Sequence, residues 1–144
     1  KYRPESVTSA QMNMPFTLAT LVLEGDAFVD QYTEESIREP ARVAFAEKVD
    51  FVEDREATAG GAQYRHKARV VMHFAGGDTE EETVEAQRGS PKRFASDEDV
   101  IEKFRKLASH VLPESRVTQV AERVLDLEHV DDTRELTGLL CLDQ

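Results

Sequence analysis

The sequence has 144 residues, of which 40% are hydrophobic and 33% charged, a composition typical of a globular domain rather than a disordered chain. Its 29 acidic and 18 basic residues give a formal net charge of −11. This charge argues against nucleic acid or an anionic membrane as a partner, because both would be repelled. The single cysteine, Cys141, excludes a disulfide within this sequence and favours a reducing, cytoplasmic setting.

Neither a membrane span nor a signal segment is visible in the sequence. The longest apolar stretch, residues 16–23, is interrupted by threonines and is too short to cross a bilayer. The first residue is Lys1 rather than Met, which favours an interpretation of the sequence as part of a longer chain.

The first strong element is a helix that begins after a polar, extended lead-in over residues 1–10. Asn13 predicts its N-cap, Pro15 lies in its first turn, and Gly25 predicts its end. Residues 16–23 are apolar nearly all round, so we expect this helix to be buried on most sides.

Short elements follow. The pattern predicts two short helices, over residues 33–39 and 41–47, the second with Val43 and Ala46 facing inward. It then predicts a strand over residues 49–53 and a glycine-rich loop over residues 57–63.

A β-hairpin is the clearest local pattern. Apolar and polar residues alternate over 65–74 and again over 82–88, and a glycine-rich turn separates the two runs. Lys67 and Arg69 are predicted to share a face with glutamates of the second strand, where each cross-strand ion pair contributes about 0.2–1 kcal/mol. We therefore interpret this basic face as structural.

Three helices are predicted after the hairpin. Ser96 and Asp99 form a capping box ahead of an amphipathic helix, a second helix follows Pro113, and Thr133 caps a third. The predicted fold class is therefore α+β. The best internal boundary is at Ser96, which divides the chain into residues 1–95 and residues 96–144.

Spacing alone assigns no chemistry to the chain. The four histidines do not fall at metal-ligand spacing with one another or with Cys141, and no serine lies in a nucleophile elbow. The glycine pairs lack a phosphate-binding pattern. The residue types and their spacing therefore predict an α+β domain but no particular activity.

Four blocks, in order, resemble the MmgE/PrpD family, whose members include 2-methylcitrate dehydratases, cis-aconitate decarboxylases and iminodisuccinate epimerases. Residues 10–25, AQMNMPFTLATLVLEG, resemble a family pattern of Ala-x-aromatic-Ser-x-x-Tyr followed by a small, apolar helix and a glycine. The other blocks are residues 40–49, residues 89–104 with their Gly-x-Pro loop and Lys-Phe helix, and residues 125–140. The resemblance covers nearly the whole chain and identifies it as the C-terminal portion of such a protein.

The resemblance implies a fold and a set of partners. This chain would supply a small α/β domain with an antiparallel or mixed sheet, and its last helices would pack on an N-terminal helical domain that is missing here. Family members are typically homodimers, need no metal or organic cofactor, and bind a small carboxylic-acid substrate between the domains. The reactions are dehydration, decarboxylation or epimerisation by acid–base chemistry next to a carboxylate.

The resemblance also marks candidate site residues. Phe16 stands at the catalytic position where family members usually carry Tyr, and phenylalanine can neither donate a hydrogen bond nor carry a proton. Asn13 stands at the position of the usual Ser and is a candidate for substrate binding, as are Ser90, Lys92 and Arg93 in the Gly-x-Pro loop. Two alternatives remain open: Phe16 as a core residue, and the loop as a plain surface loop.

The functional hypothesis is therefore the C-terminal part of a lyase or isomerase of small di- or tricarboxylic acids, inactive by itself. The alternative is a non-catalytic carboxylate-binding or dimerisation module with the same fold.

Overall fold

The computed structural model describes residues 2–141, and its contacts divide the chain into two compact units, up to Ala59 and from Gly60 onward. The described residues form seven α-helices and one two-stranded antiparallel sheet, which confirms the α+β class. The predicted boundary at Ser96 stays a prediction. The elements are α1 Val7–Gln11, α2 Met14–Glu24, α3 Pro40–Ala46, α4 Arg55–Ala59, β1 Ala68–His73, β2 Thr79–Val84, α5 Asp97–Ala108, α6 Glu114–Leu125 and α7 Thr133–Leu139.

Helix α2 begins and ends as predicted. The Asn13 side chain accepts a hydrogen bond from the Phe16 amide, and Gly25 closes the helix with φ 78°, a left-handed conformation that glycine adopts without strain. The prediction of an extended lead-in was wrong in its second half. Ser6 and Ser9 form a capping box that starts α1, because each side chain satisfies the other residue's backbone amide.

The core of the first unit lies under the start of α2. Phe16 is fully buried there against Ala10, Tyr32 and Ile37. Helix α3 packs on α2, and its Ala46 is buried as predicted. The sequence pattern therefore located the apolar centre of this unit correctly.

Three predicted elements between α2 and the hairpin were wrong. Residues 33–39 form only a 3-10 turn, Ser36–Arg38, and residues 49–53 form no strand. An isolated extended segment gains no ladder hydrogen bonds, and Phe51 and Val52 are exposed. The predicted loop over 57–63 instead contains the end of α4 and a 3-10 turn, Gly61–Tyr64, because Asp54 Oδ1 accepts two backbone N–H groups that begin α4.

The hairpin and the shared face of its charged residues are confirmed, but the second strand is Thr79–Val84 rather than residues 82–88. Strand β1 pairs with β2 in the register Ala68↔Val84 to His73↔Thr79. Lys67 Nζ lies 3.4 Å from Glu85 Oε1, and Arg69 Nη1 lies 3.5 Å from Glu81 Oε1. The basic side chains of the first strand are thus paired across the hairpin, as predicted.

The C-terminal helices pack around a small second core. The Ser96–Asp99 capping box is present at the start of α5. Ala108, Leu112 and Val117 are buried between α5 and α6, with Phe104 packed against them. Asp132 rather than Thr133 caps α7, because its carboxylate accepts the Arg134 amide at 2.9 Å.

Many large apolar side chains of the helices remain exposed. Within residues 2–141 no helix has the length and hydropathy needed to cross a bilayer. Large apolar side chains are nevertheless half-exposed on α2 (Met14, Leu21, Val22 and Leu23) and on α5 (Val100 and Leu107). The expectation that α2 is buried on most sides was therefore wrong for its last turn.

Candidate functional site

The predicted site residues fall in two places, one in each compact unit. Asn13 and Phe16 lie at the start of α2, whereas Ser90, Lys92 and Arg93 lie in the loop between β2 and α5. Their assignment as catalytic or substrate-binding residues stays a prediction.

At the start of α2, a backbone amide already occupies the side-chain oxygen of Asn13. Asn13 Oδ1 accepts the Phe16 amide at 3.1 Å, so the Asn13 side chain has a structural role whatever else it binds. The Phe16 side chain has no exposed surface. The ring therefore serves as a core residue, the alternative left open by the sequence, and in this conformation it cannot contact a substrate.

A second aromatic residue lies directly against Phe16. The ring centroids of Phe16 and Tyr32 are 6.4 Å apart, with a tilt of 45° between the ring planes. The Tyr32 hydroxyl lies 3.0 Å from Thr17 Oγ1. A phenolic hydroxyl is thus present next to Phe16, although it comes from another part of the chain.

The Gly-x-Pro loop forms a tight turn. The Gly89 amide donates to the Arg93 carbonyl at 2.7 Å, and the Arg93 amide donates to the Ser90 carbonyl at 2.9 Å. Gly89 adopts φ 84°, which favours glycine at this position. The side chains of Lys92 and Arg93 are exposed and form no ion pair within the described part of the chain.

The hydroxyl of Ser90 faces the interior rather than solvent. Its Oγ atom is buried, and none of the described residues offers it a hydrogen bond. Arg88, the other cation of this segment, is paired with Asp99 at 2.9 Å and so ties the loop to the first turn of α5. The loop therefore presents two cationic side chains, while Ser90 would have to rotate or shift to meet a ligand.

Two clefts elsewhere do not contain the predicted residues. A cleft of about 450 Å³ lies between α6 and α7 and is lined by Gln119, Glu122, Arg123, Asp126, Glu135 and Leu139. Its only lysine or arginine, Arg123, is 3.8 Å from Glu135. The excess of carboxylates would repel an anionic substrate. A cleft of about 420 Å³ in the first unit contains Arg3 and Arg38, each already paired with a glutamate, Glu47 and Glu34 respectively.

The histidines belong to no metal-binding cluster among residues 2–141. No group of three or more His, Cys, Asp or Glu side chains within 2–141 could hold a metal ion. His129 Nδ1 lies 2.6 Å from Asp126 Oδ1 on an exposed surface, and His73 contacts Thr79 at 3.3 Å across the hairpin.

A model of the MmgE/PrpD C-terminal domain matches residues 1–127 of the chain. The chain belongs to the MmgE/PrpD family. The match includes the start of α2 and the Gly-x-Pro loop, and it ends before α7. The resemblance drawn from the four sequence blocks is therefore confirmed.

Fungal relatives align with nearly the whole of this MmgE/PrpD chain. It is 31% identical over 138 residues to the cis-aconitate decarboxylase-like protein oryM of Aspergillus oryzae. It is 30% identical over 146 residues to a cis-aconitate decarboxylase of Aspergillus terreus. Each alignment covers 96% of this chain but only 28% of the relative.

Sequence reasoning missed two features of this MmgE/PrpD chain near α2. One is Arg42, which is buried in α3 and donates to Glu39 and to the Gln31 carbonyl at 2.8 Å each. A lone Arg within the apolar run of α3 is a signal that could have indicated it. The other is the contact between Thr17 and Tyr32, for which a separation of 15 residues carries no local signal.

Proposed function

We propose that this chain is the C-terminal part of an acid–base lyase that decarboxylates a cis-aconitate-like tricarboxylic acid. The observation that carries the proposal is the match of the chain to two Aspergillus proteins named as cis-aconitate decarboxylase or decarboxylase-like. Dehydration of a related acid, another reaction of the resemblance, is an outcome that the test must separate.

The chemistry of decarboxylation sets the requirements. When the C–C bond to the leaving carboxylate breaks, carbon dioxide departs and the electron pair stays on the substrate carbon. The enzyme must hold the remaining carboxylates, stabilise the developing charge and deliver a proton to that carbon. A chain with a net charge of −11 can do this only if it places cations or hydrogen-bond donors locally.

The predicted site residues supply binding groups rather than an acid–base pair. The exposed side chains of Lys92 and Arg93 have the charge to bind a substrate carboxylate, and Ser90 would join them after a local rearrangement. Asn13 contributes its amide group at the start of α2. The ring of Phe16 transfers no proton, so the proton donor and the base come from other residues of the protein.

The proposal includes partners for the exposed helix faces. We propose that the half-exposed apolar side chains of α2 and α5 pack against an N-terminal helical domain, and that the enzyme is a cytoplasmic homodimer without a cofactor. The half-exposed apolar side chains on these helices support a partner, because contiguous apolar patches on a protein surface commonly mark interaction sites.

The test compares the full-length protein with the 144-residue chain. Both are incubated with cis-aconitate and, separately, with 2-methylcitrate, while carbon dioxide release and the ultraviolet absorbance of the conjugated acid are followed. We expect carbon dioxide release by the full-length protein and none by the short chain. A rise in absorbance from 2-methylcitrate without carbon dioxide would indicate a dehydratase instead.

A different result would favour the alternative. Stoichiometric binding of a tricarboxylate by the 144-residue chain, combined with a full-length protein that turns over neither acid, would indicate a non-catalytic carboxylate-binding module. A concentration-dependent dimer without ligand binding would indicate a dimerisation module.

A further inference from the structure

Thr17 and Tyr32 form a pair of hydroxyl groups next to the predicted site residues of α2. Their oxygens are 3.0 Å apart in a partly buried setting, and either hydroxyl can donate. The Tyr32 ring is buried against Phe16, which fixes the direction of its hydroxyl, whereas Thr17 is only half-buried. A ligand at this surface would therefore meet the hydroxyl of Thr17 before that of Tyr32.

The position of Thr17 on the helix strengthens this arrangement. Its amide donates to the Asn13 carbonyl at 2.9 Å, so Asn13 and Thr17 are one helical turn apart and share a face. Thr20 differs, because it is fully buried and its hydroxyl donates to the Phe16 carbonyl at 2.9 Å. Of the two α2 threonines, only Thr17 is partly exposed, and its hydroxyl contacts another side chain.

We propose that Thr17 donates a hydrogen bond to a carboxylate of the substrate, and that Tyr32 is the positioning residue for the Thr17 hydroxyl. This inference rests on the proposed function. A carboxylate only accepts hydrogen bonds, so the Thr17 proton must point at the substrate. The lone pairs of Thr17 Oγ1 then accept the Tyr32 O–H. Hydrogen bonds in such a chain strengthen one another, so the Tyr32 hydroxyl affects the binding of a substrate that it does not contact.

The test measures KM and kcat for cis-aconitate with the full-length protein. We expect Thr17→Val to raise KM about tenfold, the loss of one hydrogen bond to a charged group. Tyr32→Phe, which removes only the oxygen, is expected to raise KM about threefold, because Thr17 can still donate without its orienting partner. Thr17→Ser should keep KM close to that of the wild type.

The double variant separates positioning from general packing. If Tyr32 acts through Thr17, the protein with Thr17→Val and Tyr32→Phe has the same KM as Thr17→Val alone. Thr20→Val and Tyr64→Phe are matched controls for the two substitutions and should leave KM unchanged. Circular dichroism monitors folding, and Thr17→Ala repeats the comparison if the valine variant does not fold.

Three results would overturn the inference. The first is a KM for Thr17→Val within about twofold of the wild type. The second is a double variant whose increase in KM is the product of the increases in the two single variants. The third is an increase in KM for Thr20→Val as large as that for Thr17→Val. An active wild type with unaffected variants removes this inference and leaves the proposed function intact. A wild type that turns over no carboxylic acid removes both.

Discussion

Replacing Arg42 with methionine tests whether the buried guanidinium joins α2 to α3. The Arg42 side chain is only 4% exposed and pairs with Glu24 near the end of α2. It also donates from Nε to Glu39 Oε2 and from Nη1 to the Gln31 carbonyl, at 2.8 Å each. Methionine is similar in length to the aliphatic part of arginine, so the variant removes mainly the charge and its donors.

The expected cost follows from the burial of each partner. Breaking a fully buried ion pair costs about 3–5 kcal/mol, because a charge is left without water or partner. Here the side chains of Glu24 and Glu39 are 39% and 46% exposed, so water can solvate them once Arg42 is gone. The Gln31 carbonyl loses a donor as well, at about 1 kcal/mol. We therefore expect a loss of about 3 kcal/mol, at the low end of the range.

Arg38→Met is the matched control. Arg38 lies 2.8 Å from Glu34, the same separation as that of Arg42 from Glu39, but its side chain is 68% exposed. Exposed pairs of this kind contribute about 0–1 kcal/mol. The comparison therefore isolates burial as the cause of any difference between the two variants.

Amide hydrogen exchange of the 144-residue chain is the assay. We expect amides of α2 and α3 to exchange about a hundredfold faster in Arg42→Met, the ratio that corresponds to 3 kcal/mol. Amides of α6, which belongs to the other compact unit, serve as the internal reference. Equal exchange rates in Arg42→Met and Arg38→Met would refute the reasoning that burial gives this network its strength.

Three further predictions concern local features. The pKa of Asp132 is lowered, first by the hydrogen bonds from the Arg134 side chain and second by the hydrogen bond from the Arg134 amide. The contribution of this cap to stability is therefore present above pH 3.8 and is lost as the pH falls through the lowered pKa. Carboxyl NMR titration should show this low pKa, and Arg134→Gln should raise it; an unchanged titration would contradict the assignment. In thermal unfolding, Gly25→Ala should destabilise the first unit by about 1 kcal/mol, because Gly25 has a positive φ. Gly138→Ala should stabilise α7 by about 1 kcal/mol, because Gly138 lies inside the helix and an added Cβ would meet no atom within 4 Å. If both substitutions changed the stability in the same direction, the backbone conformation of the glycine would not decide the outcome. Finally, the 144-residue chain should bind a hydrophobic dye or self-associate through its half-exposed apolar faces, and a dye-negative monomer would count against the proposed partner domain.

Local signals were sufficient where a few neighbouring residues decide the structure. The N-cap Asn13, the left-handed Gly25 and the Ser96–Asp99 capping box each satisfy or terminate a helix through atoms at most four residues away. The hairpin strands and the pairing of Lys67 with Glu85 likewise follow from alternation on two strands joined by a short turn.

The predictions failed where a strand needs a neighbouring strand, and where a helix cap lies in a sequence that otherwise suggests a coil. Residues 49–53 have the composition of a strand, but a strand forms only when another strand supplies hydrogen bonds, and none of the described residues does so. Ser6 and Asp54 start α1 and α4 by capping amides within sequences that otherwise suggest a coil.

The sequence by itself determined the family, the α+β class, the caps of α2 and α5 and the presence of the hairpin, because these depend on local periodicity, on capping and on motifs that keep their order along the chain. Only the tertiary structure decided that the Phe16 ring is enclosed, that the Ser90 hydroxyl turns inward and that Tyr32 reaches Thr17. Burial and contacts between distant segments arise from packing, which sums over many neighbours and leaves no regular spacing in the chain.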